Sequence, residues 1–311
     1  MTSTKIKVIG VGGAGSNAIS RMSACKLQGV DLIALNCDAQ DLQKTKANLK
    51  FRIGRNLTRG LGAGMNPEIG RLAAEENKEE INQLLKGADM VFVTCGLGGG
   101  TGTGASPVVA EIAKKSGALV MAIVTTPFSF EGAYRAQVAK KGLEALKNKV
   151  DTLLIIPNDK VLLQGDKNTT LLFAFWSCDE VLRQAVQGIT DLITLPGIIN
   201  VDFADVKTIM KDAGSAFFGQ GQAKGEKRVE TAVNLAVGSP LLDISLGGAK
   251  GILFNVSGGE DLSLNEINEA AQIITKTASG RARVIFGAVQ DKKLQKDQIK
   301  ITVIATGFEK N

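Results

Sequence analysis

The stretch GLGGGTGTGASP, Gly96 to Pro107, carries six glycines among its first nine residues. It lies between an apolar run, DMVFVTC (89–95), and a helical pattern, PVVAEIAKKSG (107–117). A segment so poor in side chains adds little to a core, and each glycine loses extra backbone entropy on folding. Its use must therefore lie in the bare backbone. A strand, a glycine loop and a helix in that order direct amide groups at a helix N-terminus, which is a ready anion site. Thr101 and Thr103 add hydroxyl donors.

A second loop of this kind stands near the start of the chain. GVGGAG, with Gly10, Gly12 and Gly15, fits G-x-G-x-x-G, follows the strand-like KIKVIGV and opens a helical pattern. Asp38 follows the next strand pattern, where a dinucleotide enzyme places its ribose-binding acid. Alone, this loop is compatible with a nicotinamide-dependent oxidoreductase or with a tight structural turn. Two such loops suit a chain of phosphates, as in a nucleoside triphosphate. The chain has no Gly-Lys dipeptide and hence no G-x-x-x-x-G-K-[ST] motif. Charge on the phosphates would then fall to magnesium, helix dipoles and amides. With no histidine in the chain, serine-type triads and most transition-metal sites are excluded.

The first half alternates continuously apolar strand patterns with helical ones, as expected of a doubly wound α/β domain around a parallel sheet. Residues 67–85 read as one helix, and 169–194, free of proline, as a long helix connecting two domains. The remainder, with GILFNVS, ARVIFGAV and KITVIATGF as strands and SLNEINEAAQIITKTA as a helix, forms a smaller α+β domain. The expected division is 1–168, 169–194 and 195–311. Four widely spaced cysteines suggest free thiols. The net charge of +6 is spread among interleaved acids, which argues against nucleic-acid binding. No leader and no apolar run near the roughly 20 residues of a membrane span is present, so a cytoplasmic protein without membrane insertion is expected.

GGGTGTG resembles the tubulin-family signature. KVIGVGGAGSNA, LNCDAQDL, GLGAGMNPEIG, PFSFEG, IPND, DEVLRQAVQGITDLI and NVDFADVKTIM make essentially the whole chain similar to the FtsZ family of bacterial cell-division GTPases. The resemblance implies that Gly12, Gly13, Ala14, Gly15, Ser16 and Asn17, with Ala63 and Gly64, cradle the phosphates of GTP or GDP. It assigns the same task to Gly96, Gly98, Gly99, Gly100, Thr101, Gly102, Thr103 and Gly104. Glu131 and Arg135 match positions contacting ribose and phosphates; from spacing alone they also read as a surface ion pair. Asn158 and Asp179 match base-recognising positions, since a carboxylate can accept from N1 and N2 of guanine. Phe175, one turn before Asp179, could stack on the base, although a helical phenylalanine also serves a core.

By the same resemblance Asn200, Asp202 and Asp205 enter the nucleotide site of the next subunit and position the attacking water. The plainer reading of the two acids is capping of the following helix. Magnesium would be held mainly through phosphates and water, with potassium as an optional addition. The partner is a second copy in a head-to-tail filament, and the setting is the cytokinetic ring at midcell. The chain stops at ATGFEKN, so the family's linker and terminal peptide, and with them the tail-dependent membrane-tethering partners, are expected to be missing, while other division regulators remain expected partners. Trp176, Ser177 and Cys178 stand where the family commonly has charged or small residues. A tubulin-like scaffold that binds nucleotide without turnover, and a plasmid-segregation filament, are the neighbouring alternatives.

Overall fold

The protein is described by a computed structural model covering residues 4–162, 169–238, 246–291 and 293–308. Two compact units divide it, Met1–Gln187 and Gly188–Asn311. In the first, the order is β1 (Ile6–Val11), α1 (Gly12–Ala24), β2 (Val30–Asn36), α2 (Ala39–Lys44), β3 (Leu49–Arg52), α3 (Arg55–Thr58), α4 (Pro67–Glu76), α5 (Lys78–Leu85) and β4 (Met90–Gly96). There follow α6 (Gly100–Lys115), β5 (Leu119–Thr126), a 3-10 turn at Ser129–Glu131, α7 (Ala133–Lys147), β6 (Thr152–Pro157), α8 (Asn158–Leu162) and α9 (Leu171–Thr194). The division between the units falls within α9.

Strands β1, β4 and β5 are buried along nearly their whole length, as befits parallel strands covered on both faces. The sheet order in this unit is β3-β2-β1-β4-β5-β6, all parallel. The order reverses between β1 and β4, and in an open α/β sheet ligands bind beyond the carboxyl ends of the strands at that switch point. Both glycine loops leave from there: β1 runs directly into α1, and β4 turns through Gly96–Gly99 into α6. The core beside the sheet is formed by side chains such as Ile9, Val11, Leu35, Val93, Val109 and Val124.

The single helix expected over 67–85 is two helices meeting at Asn77. Its buried Oδ1 accepts from the Gly54 amide at 2.9 Å and its Nδ2 donates to Glu80 at 3.1 Å. A buried amide tied to a neighbouring loop holds the backbone outside helical geometry at that residue (φ −112°, ψ 27°). Helix α4 starts with Pro67 in its first turn and Asn66 Oδ1 accepting from the Glu68 amide.

The second unit holds α10 (Phe203–Met210), β7 (Gly214–Lys224), α11 (Arg228–Val237), β8 (Gly251–Gly258), α12 (Leu264–Thr277), β9 (Arg283–Gln290) and β10 (Gln298–Thr306). Its strand order is β7-β10-β8-β9, with β10 antiparallel to β7 and β8 and β8 parallel to β9. Strand β7, GSAFFGQGQAK, is an addition to the sequence reading. Its Gly219 and Gly221 lie under α11, where a Cβ would stand 1.9 Å from the Ala236 carbonyl and 2.0 Å from that of Ala232. Close helix packing there replaces the apolar alternation that identifies most strands.

Candidate functional site

A cavity of about 530 Å³ opens at the switch point, lined entirely by the first unit. Its wall takes Gly13 and Ala14 from the first turn of α1, and Gly96, Gly99, Gly100, Thr101 and Gly102 from the end of β4 and the start of α6. Ala63 and Gly64 come from the segment before α4, Glu131 and Arg135 from the 3-10 turn and α7, Asn158 from α8, and Phe175 and Asp179 from α9.

The N-termini of α1 and α6 are bare. Neither has a side-chain cap, and neither has an acid in its first turn. Every helix start leaves amide donors unpaired, and the dipole adds positive potential to them. Two long helices present such ends to one cavity, an arrangement suited to an anion without a lysine. The loops are also locked together: the Gly100 amide donates to the Gly64 carbonyl at 2.8 Å. Gly12 takes φ +72°, and a Cβ on it would stand 2.8 Å from the Gly102 amide nitrogen.

The opposite end of the wall is polar in a different way. Asn158 is buried, and its Oδ1 is without a hydrogen-bond partner. An orphaned buried acceptor on a cavity wall is an oxygen that a ligand donor would satisfy. Burial pushes the Asp179 carboxyl up to about 6, against the opposing pull of Arg21, whose Nη2 lies 3.6 Å from Oδ2. An acceptor amide and a carboxylate fit a base edge that offers donors. Phe175 is 41% exposed and meets Phe128 edge-on at 5.2 Å, leaving ring surface at the wall.

Glu131 and Arg135 form an ion pair at 2.6 Å, and Glu131 Oε1 also accepts from the Phe128 amide at 2.9 Å. The expected ion pair is present, with the Glu131 side chain largely covered, and both residues lie on the wall. Burial, then the charges of Asp179, Glu131 and Asp159, push the Cys178 thiol up to about 12, which makes it an inert wall residue.

Seven expected residues are absent from this wall: Gly12, Gly15, Ser16, Asn17, Gly98, Thr103 and Gly104. Gly15 is pressed onto Gly10 and the Thr94 carbonyl, and Ser16 is fully buried beside it. Asn17 is on the exposed side of α1. Thr103 Oγ1 accepts from the Gly98 amide at 2.9 Å and so shapes the loop from behind. Gly104 faces α4, where a Cβ would stand 1.8 Å from the Pro67 carbonyl oxygen.

Asn36, Asp38, Asp41, Leu61, Gly62, Leu97, Thr125 and Pro127, with Cys178, complete the wall beyond the residues expected there. Their signal in the sequence was position: Asn36, Thr125 and Pro127 lie at or just past the carboxyl ends of strands next to the switch point. Asn36 donates to Asp41 Oδ2 at 2.7 Å, and burial followed by the charge of Asp38 raises the Asp41 carboxyl.

Asn200, Asp202 and Asp205 lie in the second unit and are all exposed. Asn200 Oδ1 accepts from the Gly197 amide at 2.7 Å, and Asp202 Oδ1 accepts from the Ala204 amide at 3.1 Å as the N-cap of α10. Capping therefore accounts for one oxygen of Asp202. Among the described residues no three His, Cys, Asp or Glu groups are placed to hold a metal ion, and no helix is long and apolar enough to cross a membrane.

Residues 5–164 match the family described as Tubulin/FtsZ family, GTPase domain, and residues 214–309 match FtsZ family, C-terminal domain. Among solved structures, the empty FtsZ dimer of M. jannaschii is 49% identical, with a TM-score of 0.94 over 98% of this chain and 89% of that one. The W319Y mutant of the same FtsZ gives the same identity and TM-score, covering 98% and 92%. The GTPγS-bound protofilament of CetZ2 from Haloferax volcanii shares the fold at 23% identity, with a TM-score of 0.82 over 99% of this chain and 94% of that one.

Proposed function

Since the chain belongs to the Tubulin/FtsZ family and is a GTP hydrolase, we propose that its switch-point cavity holds GTP and that hydrolysis is completed by a second copy. The observation that carries the first part is the convergence of two uncapped helix N-termini on the cavity that also holds Asn158 and Asp179. Phosphates take the amides of Gly13, Ala14, Gly99, Thr101 and Gly102, the Gly100 amide being held by the Gly64 carbonyl, and the guanine N1 and N2 donors take Asp179. Glu131 and Arg135 contact the ribose and phosphates.

Asp202 and Asp205, exposed in the other unit, orient the attacking water in the cavity of a neighbouring copy, and Asn200 supports them. Phosphoryl transfer asks mainly for positioning and for charge stabilisation, which carboxylates, amides and helix dipoles supply without histidine. A contact in which one copy's second unit meets the next copy's first is heterologous and does not close, so it yields a filament. The related proteins were solved as an FtsZ dimer and a CetZ2 protofilament, which supports self-association. Loss of the γ-phosphate weakens that contact, and the filament serves the cytokinetic ring at the cytoplasmic side of the division site.

The hard oxygen donors of Asp38 and Asp41 on the wall suit a magnesium ion that takes its other ligands from phosphate and water. When bound, that ion would neutralise phosphate charge.

Phosphate release from GTP and from ATP, followed across protein concentrations for the wild type and Asp205→Ala, tests this reading. The expected result is specific activity that rises steeply above a threshold concentration with GTP alone and collapses in the variant. Activity independent of concentration would overturn the shared site.

A further inference from the structure

Helix α1 touches the site at both ends. Its first turn brings Gly13 and Ala14 to the cavity, and eight residues on, about 12 Å along the axis, its last turn carries Arg21. The Arg21 guanidinium lies 4.7 Å from the ring centroid of Trp176, with Nη2 3.6 Å from Asp179 Oδ2. Trp176 and Asp179 are three apart on α9 and share one face. The cation is thus held on an aromatic platform beside the carboxylate. At 3.6 Å the pair is long for a hydrogen bond, so the carboxylate keeps lone pairs for another donor while gaining the field of the charge.

We propose that Arg21, seated on Trp176, is a positioning residue for base recognition: it keeps Asp179 ionised so that the carboxylate can accept from both guanine donors. The inference rests on the reading that Asp179 receives the base. Half-buried Asp179 needs such help, because burial outweighs the arginine and leaves its carboxyl raised to about 6. The other charged groups around it are already engaged. Glu131 pairs with Arg135, Asp159 accepts from the Ser129 amide and hydroxyl, and Glu180 on the same helix pairs with Arg183. Arg21 is the cation whose charge opposes the effect of burial at Asp179. Its Nε is buried without a partner, consistent with a side chain held by ring stacking and charge.

Removing the cation raises the carboxyl further, so at neutral pH a larger share of Asp179 is protonated and loses an acceptor position. Binding should then recover as pH rises. The experiment is calorimetric titration of GDP, IDP and ADP into wild type, Arg21→Gln, Arg21→Lys, Trp176→Leu and Asp179→Asn from pH 5.5 to 8.5. IDP lacks the exocyclic amine and reports the N2 contact separately.

In wild type, GDP affinity should fall as pH drops through about 6. In Arg21→Gln that midpoint should move up by about one pH unit or more, with the GDP preference over IDP reduced at pH 7 and restored at high pH. Arg21→Lys should return the midpoint toward wild type, and Trp176→Leu should shift it less than Arg21→Gln, in the same direction. Asp179→Asn should lose guanine preference at every pH. If it does, while Arg21→Gln and Trp176→Leu keep the wild-type midpoint, the role of Arg21 is overturned and the base reading stands. If Asp179→Asn binds GDP as wild type does, the base reading itself fails, and the role of Arg21 falls with it.

Discussion

The two glycine loops look alike in sequence and are used differently in the fold. The first, at the end of β1, is mostly a packing device. A Cβ on Gly10 would stand 2.3 Å from the Gly15 carbonyl, and one on Gly15 2.6 Å from the Thr94 carbonyl, so these glycines let α1 press onto the sheet. Only Gly13 and Ala14 reach the cavity from it. The second loop, at the end of β4, supplies Gly96, Gly99, Gly100 and Gly102 to the wall, and there the two uses overlap. A Cβ on Gly100 would stand 2.6 Å from the Gly64 carbonyl oxygen and one on Gly102 2.5 Å from that of Gly96, whereas Gly99 has open space and Gly104 serves packing alone. Glycine therefore marks two separate needs, close approach of backbone to backbone and close approach of backbone to ligand. A motif reports their sum.

The largest effect should come from a packing glycine. Gly104→Ala places a methyl 1.8 Å from the Pro67 carbonyl and 2.7 Å from the Arg71 amide, both backbone atoms of α4 that have no rotamer to yield. A loss of about 3 kcal/mol or more is expected. Urea denaturation checks it. A wild-type midpoint would mean that α4 and α6 are free to separate, and the division of labour drawn here would break.

A wall glycine should behave in the opposite way. Gly99 has φ −97° and nothing within 4 Å of its Cβ position. Gly99→Ala should leave the denaturation midpoint within about 1 kcal/mol of wild type. GDP affinity should drop about tenfold, or about 1.4 kcal/mol, because the methyl enters the space of the phosphates. Unchanged affinity with unchanged stability would remove Gly99 from the binding surface.

Between these extremes stands Thr103, which supports the wall loop from behind. Thr103→Val removes the oxygen that accepts from the buried Gly98 amide and keeps the methyl packed on Gly142. The expected cost is about 1 kcal/mol of stability, read by denaturation, with a smaller loss in GDP affinity.

What sequence reasoning could see follows from the same distinction. Buried parallel strands announce themselves as unbroken apolar runs, so β1, β4, β5 and the long α9 were legible, and the two loops between strand and helix pointed to phosphate. Strand β7 was not, because Gly219 and Gly221 take the places where side chains would alternate and their reason is the nearness of α11. The break at Asn77 was hidden because its cause is a hydrogen bond to Gly54, distant in sequence. At the site, Gly104 belongs to the same signature as the wall glycines, and only the nearness of α4 sets it apart from them. Asn36 and Asp41 went unread because only the sheet order brings the end of β2 beside the glycine loops.

The smallest expected effect concerns charge. The wall near the first loop carries Asp38 and Asp41, while the second loop contributes no acid. A Cβ on Gly13 would stand 3.4 Å from Asp41 Oδ2. Burial first, and then Asp38, raises the Asp41 carboxyl above its ordinary range, against Lys44 and the Asn36 hydrogen bond. A folded-state pKa above the unfolded value means that the native state holds the proton more tightly. The resulting stabilisation is fully present below the unfolded pKa and is lost as pH rises through the folded one. Ionised Asp41 therefore opposes folding slightly at neutral pH. Asp41→Asn keeps a carbonyl for the Asn36 amide and removes that charge. Its melting temperature should exceed wild type at pH 7 by less than about 2 °C, and the gap should close as pH falls below the ordinary carboxylate range. A gap that widens on acidification would reverse the sign and place Asp41 among stabilising carboxylates. The first loop's side of the cavity would then differ from the second in packing alone.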